Sequence, residues 1–319
     1  MNNTAVSHPR SGKTRPAKLR TFKKSLRKNW DLYLLITPVI VYFFVFDYIP
    51  MYGVQIAFKN FIAAKGIWGS EWIGFDHFER FFNSYYFERL IWNTLGISLY
   101  QLAVGFPIPL ILALLLNEVG NGRFKRFVQT VTYAPHFLST VVMVGLIFLF
   151  LSPQNGIVNH LIVLFGGTPI SFMTEPEWFK TIYVFSGVWQ GMGWNSIIYL
   201  AALAAIDPSL HEAARVDGAS RLRRIWHINL PGIMPTVVIL LILNVGHIMS
   251  VGFEKIYLMQ NNLNIESSDV ISTYVYQQGI IGAQYSFAAS VGLFNSVINI
   301  ILLVAVNRIA KKVNETSLW

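Results

Sequence analysis

The chain has 319 residues, 54% of them hydrophobic and only 13% charged, with a formal net charge of +9. Its mean hydropathy of +0.47 is too high for a water-soluble domain of this length and fits a polytopic membrane protein. There is no cysteine, which excludes disulfides, thiolate metal sites and cysteine nucleophiles.

Nine basic residues lie between Arg10 and Lys28, with no acid before Asp31. A basic tail ahead of an apolar stretch is a topology signal and can rest on anionic headgroups. Because the basic residues are not spread as a binding face, nucleic acid is not expected as a partner. Residues 1–29 read as a basic cytoplasmic tail. The apolar stretch after Trp30 is longer than a signal-peptide core and no A-x-A site closes it, so a first membrane span is expected there. At roughly 20 apolar residues per crossing, six spans follow: 32–57, 90–116, 127–150, 178–203, 233–253 and 285–306. Asp47 and Pro50 predict that the first bends or leaves the hydrocarbon at its outer end. Pro107 and Pro109 predict a kink in the second.

The loops carry further signals. Segment 66–82, GIWGSEWIGFDHFERFF, is aromatic and amphipathic and is expected to pack on the outer membrane face. Segment 156–165 is too short to span and reads as an interfacial helix or lid. Loop 254–284 holds strand-like and helix-like parts that the pattern does not separate. Nineteen Lys and Arg residues fall in the N-tail, loops 117–126 and 204–232, and the C-tail, against six on the other side. That bias puts both termini and loop 204–232 in the cytoplasm.

Loop 204–232 is the richest stretch. Asp207 can N-cap a helix with Pro208 at its first position. Gly218 offers a left-handed stop. Ser220 can cap a second short helix that ends before Pro231. Residues 212–235 read EAARVDGASRLRRIWHINLPGIMP. This string resembles the EAA loop of binding-protein-dependent ABC importers, with Glu212, Ala213, Ala214, Asp217, Gly218, Ala219, Leu230, Pro231 and Pro235 in register. Looser matches at 47–61, 71–82, 252–262, 269–279 and 284–307, and the terminal Leu318 and Trp319, are similar to the permeases of complex oligosaccharides, a branch of the maltose-type permease family.

The resemblance implies a set of expectations. The fold is all-α, with six transmembrane helices in the type I ABC importer arrangement. The chain divides into the tail 1–29, a first helix and outer loop 30–89, a transmembrane core 90–310 and a C-tail 311–319. The location is the bacterial inner membrane. Partners are a second homologous permease, an ATPase dimer, an extracytoplasmic sugar-binding protein and the oligosaccharide itself, with acidic glycan fragments among the candidates. Glu212, Ala213, Ala214, Asp217, Gly218 and Pro231 would couple to the ATPase, Glu212 through a basic residue on that subunit.

Polar groups at membrane depth mark a path, because an unpaired polar group in hydrocarbon is costly. Trp189, Gln190, Trp194, Asn195 and Ser196 cluster in the fourth span, with Gly187, Gly191 and Gly193. Aromatic faces stack on sugar C–H surfaces, and amides both donate to and accept from hydroxyls. The plainer alternative is a GxxxG packing face with Trp189 in the core. In the fifth span Asn244, His247 and Ser250 recur every three residues, near one face. They are candidates for the path or for interhelix hydrogen bonds. Asn295 and Asn299 read as packing contacts. No G-x-x-x-x-G-K-[ST] loop occurs, so ATP and magnesium are expected on the partner ATPase, with no cofactor and no catalytic residues in this chain. Acid-poor spans argue against the alternative of a secondary carrier or channel for a small polar solute.

Overall fold

The computed structural model describes residues 28–120 and 122–314. Most of the basic tail, and Leu318 and Trp319, lie outside the described residues. The chain divides into two units, Met1–Gln55 and Ile56–Trp319.

In the first unit, α1 (Trp30–Phe43) runs on through a π-helical turn, Phe44–Tyr48, and a further turn, Ile49–Met51. None of these side chains is buried, as suits a helix apolar all round. Asp47 sits in the π turn and Pro50 just after it. At this interruption the helix widens, which accommodates the missing proline N–H, and then continues.

The second unit opens with a two-residue ladder. β1 (Lys59–Asn60) pairs antiparallel with β2 (Glu71–Trp72), Lys59 opposite Trp72. α2 (Asp76–Phe82) follows. Its Phe81 is fully buried, edge-on to Phe287 and Phe294. Segment 66–82 therefore packs on protein along one side, while Trp68 and Phe75 stay exposed.

α3 (Phe87–Gly105) and α4 (Pro107–Glu118) form the second span, broken at Phe106 ahead of the two prolines as expected. The third span does not run straight. α5 (Arg123–Tyr133) and a 3-10 turn at Ala134–Phe137 meet α6 (Thr140–Phe150) at 105°. Pro135 stops the first helix, and the Ser139 hydroxyl accepts from Val142 N–H to start the second. Eleven helical residues reach only about 16 Å, so α6 is too short to cross alone. α7 (Ile157–Leu164) is the expected short helix. Its buried Asn159 donates to the Leu151, Ser152 and Ile170 carbonyls and accepts from Ile170 N–H.

α8 (Pro176–Ala204) is the central element. Its first half packs Phe179, Tyr183 and Val184 against Ile97 of α3 and Met143 and Ile147 of α6. Its second half packs Tyr199 and Leu203 against Ala113 of α4. Between lipid-facing helices such contacts rest on close packing, since lipid is as apolar as leucine. Gly193 shows it: a Cβ there would collide with the Thr132 carbonyl of α5.

α9 (Pro208–Val216) leaves α8 at 73°, and α10 (Arg221–Arg224) begins one turn later. The second loop helix does not end before Pro231. It passes through a π turn at Ile225–Asn229 into α11 (Leu230–Gly246), giving one helix from Arg221 to Gly246. Pro231 sits in the first turn of α11, where the widened turn tolerates its absent donor. The fifth span also stops at Gly246, short of residue 253. Past that point Asn299 supplies the bonds the helix lacks, accepting from Met249 N–H and donating to the Ser250 hydroxyl. Loop 254–284 forms helices, α12 (Phe253–Met259), α13 (Ile265–Ser268), α14 (Ile271–Tyr276) and a π turn, with no strand in this loop. The β-branched run at 270–275 is overridden by tertiary bonds: Thr94 Oγ1 accepts from Ile271 N–H, and Asn93 donates to the Glu266 and Asp269 carbonyls. α15 (Tyr285–Asn314) is the last element of the described residues and packs on α11.

Candidate functional site

The loop between α8 and α11 is built by local capping. The Asp207 carboxylate accepts from Ser209 N–H at 2.9 Å, which holds its pKa below the usual carboxylate range. Pro208 takes the first turn of α9. The helix ends in a Schellman motif: Ala219 N–H donates to the Ala214 carbonyl at 2.8 Å and Gly218 N–H to that of Arg215 at 3.1 Å. Gly218 has φ +74°, a conformation open to glycine without steric cost. The Ser220 hydroxyl caps α10 at Arg223 N–H.

Glu212, Ala213 and Asp217 are exposed and Ala214 is half-buried. Leu210, Val216 and Leu222 are exposed apolar side chains on the same loop. The loop is braced to the bundle from below. Glu118, at the end of α4, pairs with Arg224 at 3.6 Å and accepts from the fully buried Asn229 at 3.3 Å. Arg224 also donates to the Ala219 carbonyl. A cleft of about 950 Å³ lies beside this brace, with His211, Glu212 and Arg215 on its rim. Glu118 and Asn229 carry no motif and were not anticipated.

A second site lies among the spans. A polar cleft of about 210 Å³ between α3, α8 and α11 is lined by Gln101, Gly187, Gly191, Asn195, Asn244 and His247, among others. Asn195, Asn244 and His247 thus line one cleft. Asn244 also donates to the Leu240 carbonyl of its own helix at 2.8 Å. Gln190 lines an adjoining cleft of about 360 Å³ and donates to the Leu138 carbonyl in the break of the third span at 3.0 Å. The two clefts share Gln101 and Gly187.

The tryptophans lie elsewhere. Trp189 lines an apolar groove with Phe150, Phe172 and Phe185. Trp194 stacks flat on His136, 4.4 Å between centroids. Gly187 and Gly191 face the cleft, and Gly193 is the glycine that packs helix on helix. Gln101 was legible as one of two amides, with Asn93, in an apolar span. Lys255, which lines the second cleft, carried no such signal because it reads as an ordinary loop residue. Its ammonium donates to the Tyr183 carbonyl at 2.9 Å.

Comparison with known proteins follows this geometry. Residues 105–315 match the family described as "Binding-protein-dependent transport system inner membrane component". The chain is 46% identical over 306 residues to the polygalacturonan/rhamnogalacturonan transport system permease protein YteP of Bacillus subtilis, covering 93% of this chain and 95% of that protein. It is 47% identical to protein LplB of the same organism, covering 92% and 93%. Among solved structures, a chain of a bacterial ABC transporter involved in import of the acidic polysaccharide alginate superposes with TM-score 0.85 at 42% identity, covering 92% of this chain and 99% of that one.

Proposed function

The chain belongs to the family of inner membrane components of binding-protein-dependent transport systems, and from that premise we propose that it is one half of a heterodimeric ABC importer pore for acidic oligosaccharides. A second, homologous permease completes the pore. An extracytoplasmic binding protein delivers the sugar. ATP and magnesium are held by two ATPase subunits that dock at loop 204–232 and its counterpart. Both termini and this loop face the cytoplasm. The observation that carries the reading is the loop itself, a capped helix that exposes Glu212, Leu210 and Val216 while Glu118 ties its base to the bundle. Such a helix presents a charge and an apolar face to a partner and cannot slide independently of the spans.

In this mechanism ATP binding closes the ATPase dimer and draws the two loops together. The spans rock so that the clefts open outward, and hydrolysis resets them. The acidic class is supported by the substrates of YteP and of the alginate importer as named, both uronic acid polymers. The test is uptake of labelled trigalacturonate by cells carrying the complete importer, beside neutral galactotriose. Uptake of the acid that stops with Glu212→Lys supports both parts. Uptake of the neutral sugar alone removes the acidic class, and uptake unaffected by Glu212→Lys removes the coupling role of that residue.

A further inference from the structure

We infer that Lys255 is a carboxylate-binding residue of the translocation path and sets the preference for acidic over neutral sugars. This rests on the proposed importer function. Lys255 lies at the start of α12 and lines the cleft it shares with Gln101, Gly187 and Gln190. An ammonium has three donors. One goes to the Tyr183 carbonyl at 2.9 Å, and the Tyr183 ring lies 4.7 Å away, face toward the charge. No carboxylate of the described residues stands within ion-pair distance. The Arg89–Asp269 and Arg224–Glu118 pairs lie elsewhere. Glu254 lines the same cleft, yet its exposed carboxylate forms no ion pair with Lys255. A partly buried charge without a counter-ion is unfavourable, and desolvation pushes this ammonium down to about 8. A passing carboxylate would supply the missing counter-ion.

The backbone beside Lys255 makes room for the ammonium. A Cβ on Gly187 would lie 3.4 Å from Lys255 Nζ, so a larger side chain there would push the ammonium from its place in the cleft. Two helical turns earlier on the same face of α8, Lys180 repeats the arrangement against Gly96 of α3, whose Cβ would lie 3.2 Å from its Nζ. Lys180 also has no acid partner among the described residues. Gln101 and Gln190 flank Lys255 with amides suited to sugar hydroxyls. The set combines one carboxylate-binding charge with neutral hydrogen-bonding groups, the chemistry of a uronic acid unit.

The experiment measures uptake of trigalacturonate and of its methyl ester, which keeps the shape and removes the charge, in cells carrying the complete importer. Lys255→Met keeps the stem and loses the ammonium. It should lower the ratio of acid to ester uptake by about tenfold or more, the scale of one charge-assisted hydrogen bond. Lys255→Arg should retain most of the ratio. Immunoblots of the membrane fraction check that each variant is inserted. Equal loss of both probes would assign Lys255 to holding α12 against α8 and overturn the proposal. An unchanged ratio, or a wild-type chain without preference for the acid, would also overturn it. A wild-type importer that takes up neither probe, while taking up galactotriose, would overturn the acidic-glycan reading itself.

Discussion

Glu212 and Gly218 lie six residues apart and act by different physics, so their variants should fail differently. Glu212→Lys puts a like charge opposite the basic residue expected on the ATPase. It should weaken co-purification of the ATPase by roughly 30-fold or more with the spans still inserted. Gly218→Val should uncouple through strain of about 1–3 kcal/mol, because a β-branched residue would be held at φ +74°. An added acid on the ATPase should rescue the first variant and not the second; equal rescue would leave only shape complementarity at the loop. At Lys255 the sign of the pH effect follows from its depressed pKa of about 8. Carboxylate binding requires the protonated amine. The acid-to-ester ratio should therefore be full below about pH 7 and fall as pH rises through about 8, measured in membrane vesicles. The other titratable groups lining that cleft are Tyr183 and Glu254. At this scale the caps were legible in sequence, because Asp207, Pro208, Gly218 and Ser220 act on neighbours within a few residues. The path was legible only in part. Which face of α8 looks into the cleft is decided by α3 and α11, so Asn195 was placed with Trp189 although they point to different surroundings.

Elements were read well where apolar length decides and poorly where a tertiary bond overrides it. The 105° turn at Leu138 and Ser139 lies inside a stretch that hydropathy averages into one span; Pro135 and Ser139 mark the break, but a hydropathy window does not register an angle. The helical loop 254–284 depends on α3, through Asn93, Thr94 and Arg89. The Arg89–Asp269 pair, 2.8 Å apart, joins that loop to α3. Burial pushes the Asp269 carboxyl above its ordinary range, and Arg89 only partly offsets this. Such a pair is a poor source of net stability, but losing one partner strands the other. Arg89→Leu alone should cost about 2–4 kcal/mol in the unfolding of the detergent-solubilised chain. Arg89→Leu with Asp269→Leu should recover most of that loss. A second contrast tests helix packing. Gly193→Val should destabilise by about 1–3 kcal/mol through overpacking against the Thr132 carbonyl. Gly145→Ala, with nothing within 4 Å of its added Cβ, should stay within about 0.5 kcal/mol.

For the whole molecule, composition and the EAA string pointed to a membrane permease, and the family match at residues 105–315 agrees. These signals survive because they are summed over many residues and do not depend on any one contact. Orientation rests on the bias of 19 basic residues against six. A single cysteine tests it cleanly in a chain that has none. Leu263, 65% exposed in the loop after α12, is the position to use, since the adjacent Asn264 is buried and bonds the Met173 and Met259 carbonyls. Leu263→Cys should react with an impermeant maleimide added outside. Reaction only from the cytoplasmic side would invert the whole arrangement.

The uninterrupted helix from Arg221 to Gly246 makes the fifth span a lever. Its 26 residues reach about 39 Å, with the loop proposed to dock on the ATPase at one end and Asn244 at the other. A helix broken at Pro231 would fold at that joint and dissipate the stroke. The π turn at Ile225–Asn229 lets the proline be carried without a joint, so in the proposed mechanism a push on the loop would arrive at the cleft as a tilt of the whole rod. Two glycines inserted after His227 should therefore leave ATPase docking intact and abolish uptake, as a slack linkage would.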